Sequence, residues 1–279
     1  MCKVLGISRS GYYNWTEKKP SNQSRRKHKI KEEISKLFEE FAGTYGSPRI
    51  VRELAKMEDT DYHISEKTVG RYMAEMGLYA IPQKPFVVTT DSNHAQPVYP
   101  NLLNQEFNPS EPDRVWVTDI TYVWTSEGWL YLATVMDLFS RKIIGWNMAS
   151  RMTTDLCLMA LNRALSLREP SNQLIHHSDR GSQYASHEYT NRLKENDIQI
   201  SMSRRGNCFD NACIESFHAT IKKERIYRRK YRSREVAKMD ILKYITGHYN
   251  ERRMHSTLQY FSPNEFERSH VKVGSEKAA

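Results

Sequence analysis

At 279 residues the chain can build one sizeable core plus one or two small modules. Lys and Arg number 42 against 33 Asp and Glu, a net charge of +9 that favours a polyanionic partner such as nucleic acid. No apolar run reaches the ~20 residues of a membrane span and no leader-like segment opens the chain, so a soluble, cytoplasmic protein without a membrane partner is expected.

Nine Lys or Arg and one acid, Glu17, occupy the first 31 residues. Gly6-Ile7-Ser8 followed by RSGYYNW reads as the turn and second helix of a helix-turn-helix, with Ser8 as N-cap. Only five residues precede Gly6, too few for a full first helix. Ser47-Pro48 predicts the start of a helix with Ile50, Val51, Leu54 and Ala55 on one side. Ser65 predicts another, with Val69, Tyr72, Met73 and Met76 inward and Gly77 as its stop. Such a pair serves equally as a groove reader or as a plain packing unit. Residues 1–79 are thus expected to form a basic, helix-turn-helix-like DNA-binding region. Six of the ten prolines lie between Ala80 and Pro112, which predicts a linker over 80–112.

From Val115 the pattern turns to strands: VWVTDITYV, WLYLATVMDLF and KIIGWNMAS. A helix over Thr153–Arg168 follows, with Leu156, Met159, Ala160 and Leu167 as apolar positions. Next come the short strand LIHHS, a helix around His187–Asn196, the strand IQISMS and a helix from Asn211. Three strands and then alternation predict an α/β fold, a mixed sheet with helices on both faces, over 113–226. Ser233–Tyr249 again has helical spacing, and 227–279 reads as a basic helix with a polar, aromatic tail. The cysteines Cys2, Cys157, Cys208 and Cys213 have neither Cys-x-x-Cys nor finger spacing, so reduced thiols without structural zinc are expected.

Three acids have chemical consequences. Asp119 interrupts an otherwise apolar strand. Burying even a polar group without partners costs about 2–7 kcal/mol, so the fold must supply a cation, an arginine or backbone amides. Asp179 follows LIHHS, at the strand end where ligands gather in open α/β sheets, although a turn Asp before Arg180-Gly181 explains it equally. Glu215 lies one turn into a helix that Asp210 can cap; Ile214, Phe217 and Ile221 mark the buried side. Glu215, His218 and Lys222 line the adjacent stripe at i, i+3 and i+7. Converging carboxylates can hold divalent metal, for which the imidazoles of His176 and His177 are poor additional candidates. Asp137 is a candidate fourth acid, better suited to capping its strand end beside Arg141. Gln183, Asn207 and Asn211 suit DNA contact and local hydrogen bonding about equally.

Eight of the thirteen residues from Lys222 to Arg234 are basic, with Tyr227 and Tyr231 among them, a composition fit for phosphate contact and base stacking. Lys222, Lys223, Arg225, Arg228, Arg229 and Lys230 are its candidate DNA contacts, joined by Arg204 and Arg205 after the strand IQISMS.

The segments WVTDITYV, HHSDRGSQYAS and GNCFDNACIESFHATIKKE resemble the three acidic blocks of DDE transposases and integrases. More narrowly, they resemble the B-frame (OrfB-type) protein of the insertion-sequence-three transposase family. MCKVLGISRSGYYNW, YGSPRI and HYNERRMHSTLQYFSPNEFE are similar to the same family, so the likeness spans nearly the whole chain. Ser47-Pro48 stands where a Tyr-Arg type of dipeptide is more usual, and Met254 interrupts the tail motif; neither touches the acids. The resemblance implies an RNase H-like integrase catalytic core with Asp119, Asp179 and Glu215 as catalytic metal ligands. It makes Lys222 a DNA contact near the reacting phosphate. It implies two Mg²⁺ ions, with Mn²⁺ as a substitute, Asp119 bridging them and Asp179 and Glu215 taking one each. Water would free a 3′-OH at an element end, and that 3′-OH would attack another phosphodiester. Double-stranded DNA, a homo-oligomer on DNA and an upstream-frame (OrfA-type) protein or fusion are the implied partners. Two other readings stand beside it, a non-catalytic DNA-binding regulator and an RNase H-type nuclease. The retained acids with Lys222 argue against the first, and the basic N-terminal region against the second.

Overall fold

The computed structural model describes residues 2, 4–16, 21–57, 64–80, 96–170, 173–204 and 207–277. They fall into two compact units, Met1–Ile81 and Pro82–Ala279.

The first unit is helical. Helix α1 (Arg9–Thr16) begins where Ser8 predicts, its hydroxyl accepting from the Gly11 amide at 3.0 Å. Helix α2 (Asn22–Glu40) is capped by Ser21 and buries Ile30, Ile34 and Leu37. Charged residues dominate α2, and only this thin stripe marks its inner face, so the helix has a weak signature in the sequence. Helix α3 (Ser47–Ala55) takes Gly46 as its N-cap, so Ser47 and Pro48 are its first residues rather than its cap. Ile50 and Leu54 are buried, whereas Ala55, expected inward, is exposed. Helix α4 (Glu66–Glu75) follows the expectation: the Ser65 hydroxyl accepts from the Thr68 amide, and Val69, Tyr72 and Met73 are buried. Gly77, at φ 68°, ends it in a conformation that side chains with a Cβ resist.

The second unit is built on a five-stranded sheet. Strands β1 (Val115–Thr125), β2 (Gly128–Asp137) and β3 (Lys142–Ala149) form an antiparallel meander. Helix α5 (Thr154–Leu167) leads to β4 (Ile175–Ser178), and the short α6 (Ser182–Ala185) and α7 (His187–Lys194) lead to β5 (Gln199–Met202). β4 runs parallel to β1, and β5 parallel to β4. The order β3-β2-β1-β4-β5 gives the RNase H-like mixed sheet. Helices α8 (Ala212–Glu224), α9 (Arg234–Lys243) and α10 (Pro263–Lys277) complete the unit.

Alternation along β1 sends neighbouring side chains to two cores. Val115, Val117 and Val123 join Leu130, Leu132 and Met136 in one, with Ile214, Phe217 and Ile221 of α8 and Ile241 of α9. Trp116 joins Ala133, Val135 and Ile144 in the other, with Leu156, Ala160, Leu161 and Ala164 of α5. The close seat of α5 depends on Gly145, where a Cβ would lie 2.3 Å from the Ala160 carbonyl oxygen. Of the four apolar positions read from the sequence, Leu156 and Ala160 are buried and Met159 and Leu167 are exposed; Cys157, Leu161 and Ala164 complete the inner stripe.

Residues 81–95 of the proline-rich stretch lie outside the described residues. The remainder follows the sheet: Leu103 is buried in the first core, and the Leu102 amide donates to the Ser201 hydroxyl at 2.9 Å. A π-helical turn over Tyr244–Tyr249 precedes Arg253, which returns to the end of α8. There Glu224 accepts from the Arg253 guanidinium at 2.8–3.1 Å and from the Tyr244 hydroxyl at 2.6 Å. This buried clamp ties the end of α8 to the segment that follows α9. Among the described residues, no helix is long and apolar enough to cross a membrane.

Candidate active site

Asp119 pairs in register with Thr134 of β2, on the sheet face covered by α8. Its Oδ1 accepts from the Ile120 amide at 2.8 Å, and its Oδ2 lies 3.2 Å from Nδ1 of His218. His218 is buried, with Nε2 2.9 Å from the Thr134 hydroxyl. Both ring nitrogens are thus engaged, Nδ1 by the carboxylate and Nε2 by the Thr134 hydroxyl. The mid-strand acid therefore has a fixed polar partner from α8. The sequence placed His218 on the stripe of Glu215 and Lys222 but gave no sign of this link.

Asp179 follows β4, and its Oδ1 accepts from the Gly181 amide at 2.9 Å, the turn geometry expected before glycine. Asp119 and Asp179 line one cleft with Tyr122, Trp129 and Gln183. Glu215 is half-buried on α8. Burial, then the negative charges of Asp119 and Asp179, push its carboxyl up to about 7. The three acids are thus close enough for their charges to interact. Among the described residues, no three His, Cys, Asp or Glu side chains are gathered tightly enough to make a ready cage for a metal ion. The donor set still fits one: three carboxylates from three elements offer only hard oxygens, and their mutual repulsion is what a divalent cation relieves.

Lys222 lies on the same side, its Nζ 4.5 Å from the Tyr122 ring centroid. Burial lowers its pKa while Asp119 acts the other way. The rest of the basic run divides. Arg225 and Arg229 bind Asp240, at 2.5–2.8 Å and 2.9 Å, and the Tyr231 hydroxyl donates to the same carboxylate at 2.8 Å. Tyr231 is only 4% exposed, so the expected base stacking there is corrected: the ring belongs to the core. Tyr227, Arg228 and Lys230 are exposed and Lys223 is half-buried.

Arg204 is held by Asp210 through its backbone amide at 2.8 Å and its guanidinium at 2.8–3.0 Å. Asp210 also accepts from Asn101 and Gln105, and Arg204 holds its carboxyl well below the usual range. This overturns its expected role as cap of α8; Asn211 occupies that position instead. Arg205 lies outside the described residues.

The remaining candidates have local roles. His176 and His177 are buried and held neutral, pushed down to about 3 and about 4 chiefly by burial. They contact Tyr189 at 3.1 Å and Ser201 and Ser203 at 2.8 and 3.1 Å. Asp137, raised to about 7 by burial and by Asp113, accepts from the Phe139 and Asp113 amides and so caps its strand end. Arg141 turns away to Phe107, Asn108 and Cys213. Gln183 donates to the Met152 carbonyl, Asn207 accepts from the Phe209 amide, and Asn211 donates to the Thr118 carbonyl.

The sheet order, with acids on β1, after β4 and on α8, defines a chain of the integrase-core class carrying a separate basic helical unit. The family models agree: two described as integrase core domain match residues 109–208 and 196–263, and one described as HTH-like domain matches 25–86. An uncharacterised 31 kDa protein of insertion element IS600 from Shigella sonnei is 42% identical over 266 residues, spanning 95% of this chain and 97% of that one. The transposase InsF of insertion sequence IS3A from Escherichia coli is 39% identical over 274 residues, spanning 97% of this chain and 94% of that one. Among solved structures, the catalytic core domain of HTLV-2 integrase in complex with magnesium is 16% identical, with a TM-score of 0.44, covering 57% of this chain and 98% of that one. The chain belongs to the IS3-type family of DNA transposases, enzymes of DNA strand transfer.

Proposed function

We propose that Asp119, Asp179 and Glu215 are the metal-binding carboxylates at which this transposase cleaves element ends and transfers strands. The observation that carries this reading is the grouping of three carboxylates from β1, the turn after β4 and α8: Glu215 is raised first by burial and then by the charges of both aspartates, a state that a bound cation would relieve. Two Mg²⁺ ions, with Mn²⁺ as a substitute, would supply an activated nucleophile and stabilise the attacking and leaving oxygens. The protein's own groups do the positioning. His218 holds one oxygen of Asp119, the Gly181 amide holds one oxygen of Asp179, and α8 carries Glu215 near enough to both for their charges to act on it. Lys222, partly desolvated beside Tyr122, is placed to meet a phosphate near the acids. Lys223, Arg228 and Lys230 are further candidate phosphate contacts on the same segment, and Arg204, Arg225 and Arg229 are engaged by Asp210 and Asp240.

In this reading residues 1–79 bind DNA, 80–112 link them to the catalytic core at 113–226, and 227–279 support the core. Double-stranded DNA is the substrate, the acting form is a homo-oligomer on DNA, and an upstream-frame OrfA-type protein or fusion supplies end recognition. The test is Asp119→Asn, Asp179→Asn and Glu215→Gln, each assayed with Mg²⁺ on labelled oligonucleotide ends. All three are expected to bind DNA and to lose cleavage and strand transfer. Activity surviving in one removes that residue from the site.

A further inference from the structure

Beside the carboxylate cleft runs a second groove, lined by Tyr122, Trp124, Trp129, Lys222, Tyr227 and Lys230 among others. Tyr122 and Trp129 line both, so this aromatic pair is the wall between the acids and the basic groove. Three large rings of the groove are left in water: Trp124 is 60% exposed, Trp129 43% and Tyr227 62%. Grouped exposure of this kind marks a binding surface more often than scattered apolar residues do. The two tryptophans are also braced, by each other and by Tyr122. Trp124 and Trp129 are register partners across the β1–β2 hairpin, edge to face at 4.8 Å, and Tyr122 meets Trp129 edge to face at 5.0 Å. Lys222 lies over Tyr122 and Lys230 is exposed on the same groove.

We infer that this groove binds unpaired nucleotides of the DNA strand that enters the carboxylate cleft, with bases stacked on Trp124 and Tyr227 and phosphates against Lys222 and Lys230. A paired duplex hides the faces of its bases and shows phosphates and groove edges. Fixed aromatic faces interleaved with cations match a single strand instead. The inference rests on the reading of Asp119, Asp179 and Glu215 as the strand-transfer site. It adds that the DNA next to that site is opened for a few nucleotides.

The test uses the full chain in EDTA with two labelled DNAs, a blunt duplex and the same duplex carrying a short unpaired end with 2-aminopurine in the unpaired stretch. Wild type is expected to bind the open-ended DNA more tightly and to quench 2-aminopurine. Trp124→Ala is expected to weaken open-ended binding about tenfold, leave blunt binding within about twofold and restore fluorescence. Trp124→Phe, which keeps a stacking face, should retain most of the affinity, and thermal melting checks that both variants fold. The inference is overturned if wild type binds the two DNAs equally or binds neither, if Trp124→Ala weakens both alike or neither, or if 2-aminopurine stays bright. Asp119→Asn separates the two readings: normal strand transfer by that variant overturns the carboxylate assignment, while the binding and fluorescence comparison decides the groove by itself.

Discussion

Glu215→Gln is expected to stabilise the metal-free protein at pH 8 while abolishing strand transfer. In the native chain burial and the charges of Asp119 and Asp179 raise Glu215 from its ordinary value near 4.5 to about 7. The folded state thus holds this proton more tightly than the unfolded chain does. The stabilisation it gives is complete below about pH 4.5 and is lost as pH rises through about 7. A displacement of that size corresponds to about 3 kcal/mol. Glu215 is half open to solvent, which screens the repulsion, so about 1–2 kcal/mol is the appropriate figure. Glutamine keeps the shape without the charge, and its advantage should be that large at pH 8 and small at pH 4.5. Asp137 is also raised to about 7 and steepens the pH dependence, but it does so in both proteins and cancels in their difference. The assay is urea unfolding at the two pH values in EDTA, repeated at pH 8 with Mg²⁺. Mg²⁺ should stabilise wild type, because it binds the folded state, and should stabilise the variant less. A variant less stable than wild type at pH 8, or an advantage unchanged between the two pH values, would refute the reasoning.

Other substitutions probe the supports of the site. His218→Ala releases Asp119 Oδ2, and strand transfer should fall roughly 10–100-fold with a parallel loss of Mn²⁺ affinity by titration; undiminished Mn²⁺ binding would end the positioning role. Arg253→Met leaves Glu224 charged and buried, and urea unfolding should show a loss of about 3–5 kcal/mol; a loss under about 1 kcal/mol contradicts the clamp. Lys222→Gln should lower the slope of log affinity for DNA against log salt by about one, by anisotropy titration. Arg225→Gln should instead reduce stability, because its guanidinium is committed to Asp240, and an unchanged melting temperature would count against that assignment.

The sheet was legible because it leaves local marks, and the three acids stand out in the sequence for equally local reasons. β-rich composition and apolar runs write β1 to β3 into the sequence, and an Asp in the middle of β1 is conspicuous because burial there has a cost. Asp179 and Glu215 drew attention from their neighbours, and the family resemblance then joined them. What escaped depends on partners distant in sequence. Nothing local to Arg225, Arg229 and Tyr231 says that Asp240 will gather all three, so a run that reads as a DNA-binding stripe is partly structural. Asp210 stands one residue from the cap position of α8 but is drawn off by Arg204, Asn101 and Gln105, the amides arriving from the stretch before β1. Trp124 and Trp129 read as ordinary strand residues until the hairpin sets them edge to face beside its turn.

The division of the basic run gives the C-terminal segment a part in the chemistry that its distance from the acids conceals. Glu215, His218 and Lys222 sit on one helix, so their positions are set together by whatever fixes α8. Ile214, Phe217 and Ile221 hold its inner face, and its last residue, Glu224, is pinned by Arg253 and Tyr244 from beyond the basic run. Asp240 holds the following turn through Arg225, Arg229 and Tyr231. Loosening either clamp would shift the three groups as one body against Asp119, which stays on β1. Damage to the tail should therefore appear as weakened carboxylate geometry as well as lost stability. The polar tail segment is a brace for α8, and that explains why residues so far along the chain belong to the same unit as the acids.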